Sequence, residues 1–341
     1  MAGRRGESRP PTMSDVARLA GVSAQTVSRV LNDYEFIKQD TRDKVIRAIE
    51  SLGYRPNSAA RTLATTRSRV IGVVGSDYMS FGPASALWAV EQAAHAAGYG
   101  VSVVSLGETT ISTIEYALRR LADQAVDGIV MIAPQDAAVR AAYRSIHGVP
   151  IVTLTGFDEG YEEPIMVDAV EGSRAATQHL IDLGHTRILH LSGPPGVEVS
   201  ELRVRGWRLA LAQAELPTTE PYAGYWTAES GYLAGVEMAK DVRATAAYVA
   251  QDRMAQGLLL ALHQAGRRVP NDFSVVGFDD VPEAAFTIPP LTTVRQDFDA
   301  LGQRAVHVLL ARIANAPQPP LPPLVPQLVV RASTAPPPRR D

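Results

Sequence analysis

The chain has 341 residues, 46% of them hydrophobic, which is enough for one small domain and a pair of larger lobes with real cores. It has no cysteine, no run of eighteen apolar residues and no apolar leader behind its basic start, so disulfides, thiolate chemistry, membrane spans and secretion are set aside and a cytoplasmic protein is expected. The net charge of −3 hides a division: residues 1–69 hold 13 Lys and Arg against 7 Asp and Glu, and the remainder holds 20 against 29, which puts positive charge where phosphates would bind.

Residues 1–11 read as a disordered basic arm. Met13 to Ala20 carries Val16, Leu19 and Ala20 at helical spacing, with Thr12 or Ser14 available as the cap. Gly21 supplies a sharp turn, Ser23 caps a second helix from about Ala24 to Asn32, and Val27, Val30 and Leu31 form its buried face. Two helices joined in this way make a helix-turn-helix. The other face of the second helix offers Ala24, Gln25, Ser28, Arg29 and Asn32. Gln pairs with adenine and Arg forks onto guanine in the major groove, while Thr26 and Ser28 suit phosphate oxygens. A third helix, Gln39 to Leu52, brings Val45, Ile46, Ile49 and Leu52 to close a three-helix core, behind a weak cap at Lys38 and Gln39. After the stop GYRPN, Asn57 caps a segment through Thr65 that is too short to be helical alone and is expected to fold on a partner.

From Arg69 onward, short β-branched runs alternate with amphipathic helices. VIGVVGSD, YGVSVVSL, DGIVMIAPQD, PIVTLTG and PIMVD read as strands; after Asp168 the alternation starts again through RILHLSG, AAYVAQD and FSVVGFDD. Such alternation implies two lobes, each a parallel doubly wound sheet. Polar residues end many of the runs: Ser76 and Asp77, Gln135 and Asp136, Thr155, Asp168, Ser192, Gln251 and Asp252, Asp279 and Asp280. Ligands bind outside the carboxyl ends of strands in such sheets, so the set points to a polar small-molecule cleft.

The run DVARLAGVSAQTVSRVLN followed by TRDKVIRAIESLGYRPNSAARTLA closely resembles the headpiece and hinge of the lactose-repressor (LacI/GalR) family of bacterial transcription factors. GVPIVTL, HLIDLGHTRILHLSGP, RVRGW, VAQDRMAQG, SVVGFDD and IPPLTTVRQDFDALGQRAV extend the resemblance to that family's periplasmic-binding-protein-like sensor. The resemblance implies DNA contacts from Thr12, Ala24, Gln25, Thr26, Ser28, Arg29, Asn32 and Asn57, with Leu63 wedged into the minor groove by paired hinge helices. It implies effector contacts from Ser76, Arg203, Trp226, Gln251, Asp279, Gln296 and Phe298. The corresponding division is a helix-turn-helix domain at 12–56, a hinge at 57–68, a sensor N-lobe at 69–167 plus 299–326, a C-lobe at 168–298 plus 327–334, and a disordered tail at 335–341.

Asp279 suits two neighbouring hydroxyls, Arg203 donates a fork, and Trp226 covers a pyranose face. Gln251 stands where the family usually has Asn, and Thr155 where a galactoside-gripping aspartate occurs in the family, so the sugar is expected to differ. No leucine heptads follow Ala311, which favours a homodimer over a tetramer. No phosphate-binding loop, G-x-S-x-G, H-E-x-x-H or helix-opening G-x-G-x-x-G occurs, and His179, His185 and His190 lack metal-ligand spacing. Neither catalysis, a metal nor a cofactor is expected. The expected function is a repressor of carbohydrate-utilisation genes, bound to a palindromic operator and released by a mono- or disaccharide. The alternative is a regulator of the same fold that senses a nucleobase or another non-sugar metabolite, with ligand acting as corepressor.

Overall fold

The structure, a computed structural model, describes residues 9, 11–31, 34, 36–54, 67–76, 80–132, 148–154, 165–318 and 321–339. Asn32, Asn57, Leu63, the hinge helix, most of the basic arm, and Asp77, Gln135, Asp136 and Thr155 lie outside the described residues. The chain divides into two compact units, Met1–Ser68 and Arg69–Asp341.

The first unit is built on α1 (Met13–Ala20), α2 (Ala24–Leu31) and α3 (Gln39–Leu52). Thr12 begins α1, and the Asp15 carboxylate, three residues on, accepts from the Thr12 backbone N–H at 3.0 Å and its hydroxyl at 2.6 Å. These bonds, with Arg9 and Arg18 nearby, lower the Asp15 pKa to about 2. Gly21, at φ 64°, makes the turn, and Ser23 accepts from Thr26 N–H at 3.1 Å to open α2. Lys38 makes no side-chain cap to α3. Val16, Ala17, Val27, Val30, Val45, Ala48 and Tyr54 form the core. Two expected core residues are instead outside: Leu19 is 55% and Ile46 42% exposed. Each lies about 100° round its helix from the true stripe, on which the smaller Ala17 and Ala48 are buried instead.

In the second unit, β1 (Val70–Ser76), α4 (Phe81–Ala96), β2 (Gly100–Leu106), α5 (Ile111–Asp123), β3 (Gly128–Ile132) and β4 (Ile151–Thr153) form a parallel sheet of order β2-β1-β3-β4 with its helices. The pattern repeats in α6 (Ala169–Asp182), β5 (Ile188–Ser192), α7 (Glu198–Gln213), β6 (Tyr222–Ala223), α8 (Ala228–Met238), β7 (Ala246–Val249), α9 (Asp252–Gln264) and β8 (Ser274–Val276). Its parallel sheet has the order β6-β5-β7-β8. β9 (Thr293–Arg295) then leads into α10 (Phe298–Ile313), which packs on the first sheet, and β10 (Gln327–Val329) returns antiparallel to β9. The chain therefore passes between the sheets three times, at 165–169, at β9 and at β10. The doubly wound α/β architecture expected from the alternation is present in both sheets.

Several details differ from the sequence reading. Of PIMVD, the described residues 165–168 form only an isolated bridge, Val167 to Leu324, because the segment crosses between the sheets. Helix α8 has two internal glycines that weaken its helical signal. They are there because α8 and α9 touch backbone to backbone: a Cβ on Gly231 would lie 2.1 Å from the Met254 carbonyl oxygen. The supposed tail is pinned at its first residue, where Ala335 N–H donates to Ser274 Oγ at 3.0 Å and its carbonyl accepts from Ser274 Oγ at 3.0 Å.

Candidate nucleic-acid interface and small-molecule cavity

On α2, burial of Val27 and Val30 turns Ala24, Gln25 and Arg29 to solvent, with Thr26 and Ser28 half-buried beside them. The Arg29 guanidinium carbon sits 5.4 Å from the Tyr34 ring centroid, a cation–π contact that limits where its fork points. Thr26 differs from expectation in one respect: its hydroxyl is 2.9 Å from Ser23 Oγ, so it serves the helix start as well as facing outward. Thr12 is likewise engaged with Asp15.

Between the two sheets lies a cavity of about 370 Å³. Ser76, Arg203, Trp226, Gln251, Asp279, Gln296 and Phe298, scattered over 223 positions of sequence, all line it. Parallel strand order explains the convergence. Ser76 ends β1, Gln251 and Asp279 follow β7 and β8, and all leave their sheets at the carboxyl edge. Arg203 comes from α7, Gln296 follows β9, and Phe298 opens α10.

Polar groups concentrate on one wall. Asp279 Oδ1 accepts from Arg203 Nη2 at 3.2 Å and from Gln296 Nε2 at 2.7 Å. Arg203 also donates to the Ala250 carbonyl, and its guanidinium carbon stands 3.9 Å from the Phe278 centroid and 5.6 Å from that of Trp226. Burial raises the Asp279 pKa above the usual carboxylate value, against the opposing charge of Arg203 and the bond from Gln296. Two buried polar atoms of this wall, Arg203 Nε and Gln251 Oε1, have no hydrogen-bond partner among the described residues. Buried polar groups are normally satisfied, so these two are available to a ligand. Gly193 shapes the same wall, since a Cβ there would fall 2.0 Å from Trp226 Cη2.

The opposite wall, with Pro83, Ala86, Ile132, Leu154, Met166 and Leu301, is apolar and was not anticipated. In sequence these residues look like ordinary core positions; only lobe packing leaves them facing a cavity.

The strand-end rule proves too generous for four of its described residues. Asp168 accepts from Glu171 N–H and caps α6; Ser192 bonds to the Gly193 and Tyr222 carbonyls. Asp252 accepts from Thr293 Oγ1 and Val281 N–H, and Asp280 from Arg295 and Arg331. None of the four lines the cavity: Asp168 caps its own helix, and the other three are engaged in bonds that reach other segments of the chain. The histidines sit apart in function as well: His190 is fully buried, stacked 4.7 Å from Tyr248 and 5.3 Å from Trp207, with its pKa lowered to about 3 by burial. His185 is buried and bonded to Thr245, Ser274 and the Ala335 carbonyl. Among the described residues no helix is long and apolar enough to cross a membrane.

Residues 12–57 match the lacI family of bacterial regulatory proteins, and residues 177–334 match a periplasmic binding protein-like domain. The lactose operon repressor of Escherichia coli (strain K12) is 37% identical over 307 residues, covering 89% of this chain and 84% of the relative. The chain belongs to the lacI family. This LacI-family regulator is thus a DNA-binding transcription factor, and the family is not enzymatic. The HTH-type transcriptional repressor PurR of Vibrio cholerae serotype O1 (strain M66-2) is 34% identical over 309 residues, covering 89% of this chain and 92% of the relative. Among solved structures, the lac repressor dimer bound to operator and the anti-inducer ONPF superposes with a TM-score of 0.87 at 34% identity, covering 96% of this chain and all of that one.

Proposed function

We propose that this regulator represses carbohydrate-utilisation genes as a homodimer on a palindromic operator and that a sugar bound in the interlobe cavity releases it. The observation that carries the reading is the polar wall: Asp279 held by Arg203 and Gln296, with Arg203 Nε and Gln251 Oε1 buried and without a hydrogen-bond partner among the described residues, in a cavity that Trp226 also lines. An acceptor carboxylate, an extra acceptor and an extra donor suit adjacent hydroxyls, each of which donates and accepts. The indole and the apolar far wall cover the carbon face of a pyranose. At about 370 Å³ the cavity is near the small end of the range of roughly 300–1,000 Å³ for ligand sites, which favours a mono- or small disaccharide.

On the DNA side, the exposed Gln25 and Arg29, with Ala24 offering a methyl contact, read the half-site. Asn32, Asn57 and Leu63 join that proposal on sequence alone, and Ser76, which lines the cavity, joins it on the ligand side. The relatives support both parts: one is a lactose operon repressor, and its dimer is seen on operator DNA.

The PurR relative gives weight to a second reading, a nucleobase corepressor, whose flat ring the apolar wall would also accept. The test is binding of the full chain to its promoter DNA at fixed salt, with a panel of mono- and disaccharides, hypoxanthine and guanine. Release by one sugar, lost in Asp279→Ala while DNA binding persists, is expected. Tightening by a nucleobase with no response to any sugar replaces this reading with the second.

A further inference from the structure

Asp279 and Asp280 are consecutive non-glycine residues at φ 109° and 53°. An L side chain holds such a backbone only where its surroundings impose it, and strain of this kind gathers at switching segments. What imposes it is visible. Asp279 N–H donates to the Val294 carbonyl of β9 at 2.8 Å, and Val281 N–H donates to Asp252 Oδ2 at 2.9 Å. The turn sends the two carboxylates to different tasks. Asp279 lines the cavity, whereas Asp280, its side chain 6% exposed, accepts from Arg295 Nε at 2.6 Å with one oxygen and from Arg331 Nη2 at 2.6 Å with the other.

Arg295 ends β9, and Arg331 follows β10 by two residues, so the two cations belong to two of the three places where the chain crosses between the sheets. Arg331 also donates to the Leu291 carbonyl at 2.8 Å, and Gln296, next to Arg295, bonds Asp279 itself. Both Asp280 oxygens are thus occupied by charge-assisted bonds; the one from Arg331 is largely buried and weakly screened, while Arg295 reaches in from a half-exposed position.

We infer that Asp280 is a positioning residue for the effector response: it fixes Asp279 in its left-handed turn and ties it to both crossings, so that ligand engagement at Asp279 and lobe movement at β9 and β10 are one event. The inference rests on the reading that the cavity takes the effector. An effector acts only through a difference in its free energy between two states, and a tie between its carboxylate and the moving crossings supplies that difference.

The test uses full-length Asp280→Asn, Arg331→Met and their double variant. Asn keeps the shape of Asp280 but loses the charge and one acceptor oxygen. The readout is the ratio of promoter-DNA Kd with and without sugar, measured with galactose, lactose, cellobiose and ribose in turn, beside the melting temperature. Each single variant is expected to reduce the wild-type ratio by about tenfold, with sugar-free DNA affinity retained, and the double variant to reduce it no further. A merely structural Asp280 would lower the melting temperature and leave the ratio unchanged, and that result overturns the inference. Multiplying effects in the double variant also overturn it, since the two residues would then act separately. Failure of the underlying reading is distinct: none of the four sugars moves the wild-type protein, or Asp279→Asn still responds normally, and the inference falls with it.

Discussion

Gly193→Ala places a methyl group where the indole of Trp226 now rests. The added Cβ would lie 2.0 Å from Trp226 Cη2, 2.2 Å from Cζ2 and 2.4 Å from Ser200 Oγ. Carbon atoms in contact settle at about 3.5–4.0 Å, so the indole has to retreat by roughly 1.5 Å. The Ser200 hydroxyl, which has no partner among the described residues, can rotate away, whereas the bulky indole has to shift as a whole. Overpacking of this kind costs about 1–3 kcal/mol, which for a unit of this size lowers the melting temperature by about 2–4 °C per kcal/mol. The displaced ring no longer covers the ligand, and loss of an aromatic face and its buried area reduces sugar affinity by about 10- to 100-fold, or 1.4–2.7 kcal/mol. Sugar binding by calorimetry and melting by scanning fluorimetry measure the two effects. Trp226→Ala removes the obstacle, so adding it to Gly193→Ala should restore part of the lost stability, a strong non-additivity. Wild-type sugar affinity in Gly193→Ala, or additive stability losses in the double variant, would refute the packing argument.

Other expectations concern separate parts of the molecule. Arg29→Ala should lower discrimination at one operator base pair by about 1–3 kcal/mol and change nonspecific DNA affinity little, as read by competition binding at constant salt; unchanged selectivity removes Arg29 from base readout. Gly257→Ala should destabilise the second lobe by about 3 kcal/mol or more in urea unfolding, because its Cβ would meet the backbone at Ala228 O, 1.9 Å, and Tyr232 N, 2.5 Å, neither of which can swing aside. Asp252 is pushed up to about 8 by burial and then by the charge of Asp279. Its folded pKa lies above the unfolded value of 3.8, so its contribution to stability is complete below that value and is lost as pH rises towards 8. Unfolding in urea across pH 5 to 8 should therefore show wild-type stability falling more steeply than that of Asp252→Asn; parallel pH profiles would count against it.

Much of this was legible in the residues themselves. Helical spacing, Gly21 and the cap at Ser23 specify the headpiece helices because capping and amphipathicity are local properties, and α3 runs from Gln39 to Leu52 as its pattern requires. The alternation of β-branched runs with amphipathic segments specifies two parallel sheets for the same reason, and parallel sheets put their loops at one edge. The side on which Leu19 and Ile46 fall was not legible, because that depends on how closely two other helices approach. Helix α8 was hidden because its glycines answer to α9, a partner reached only through the fold.

The candidate cavity divides in the same way. Asp279 was legible from its place at the end of an apolar run, whereas Arg203 and Trp226 lie on no strand end and were marked only by the resemblance to the family. Which strand-end carboxylates face the cavity and which staple loops was decided only by tertiary structure. Asp279 and Asp280 are chemically identical neighbours, and a left-handed turn held by β9 and two arginines assigns one to the cavity and the other to the lobe crossings. Sequence determines which groups are present and their local geometry; their assignment follows from contacts between segments far apart in the chain, whose free energies appear only once those segments meet.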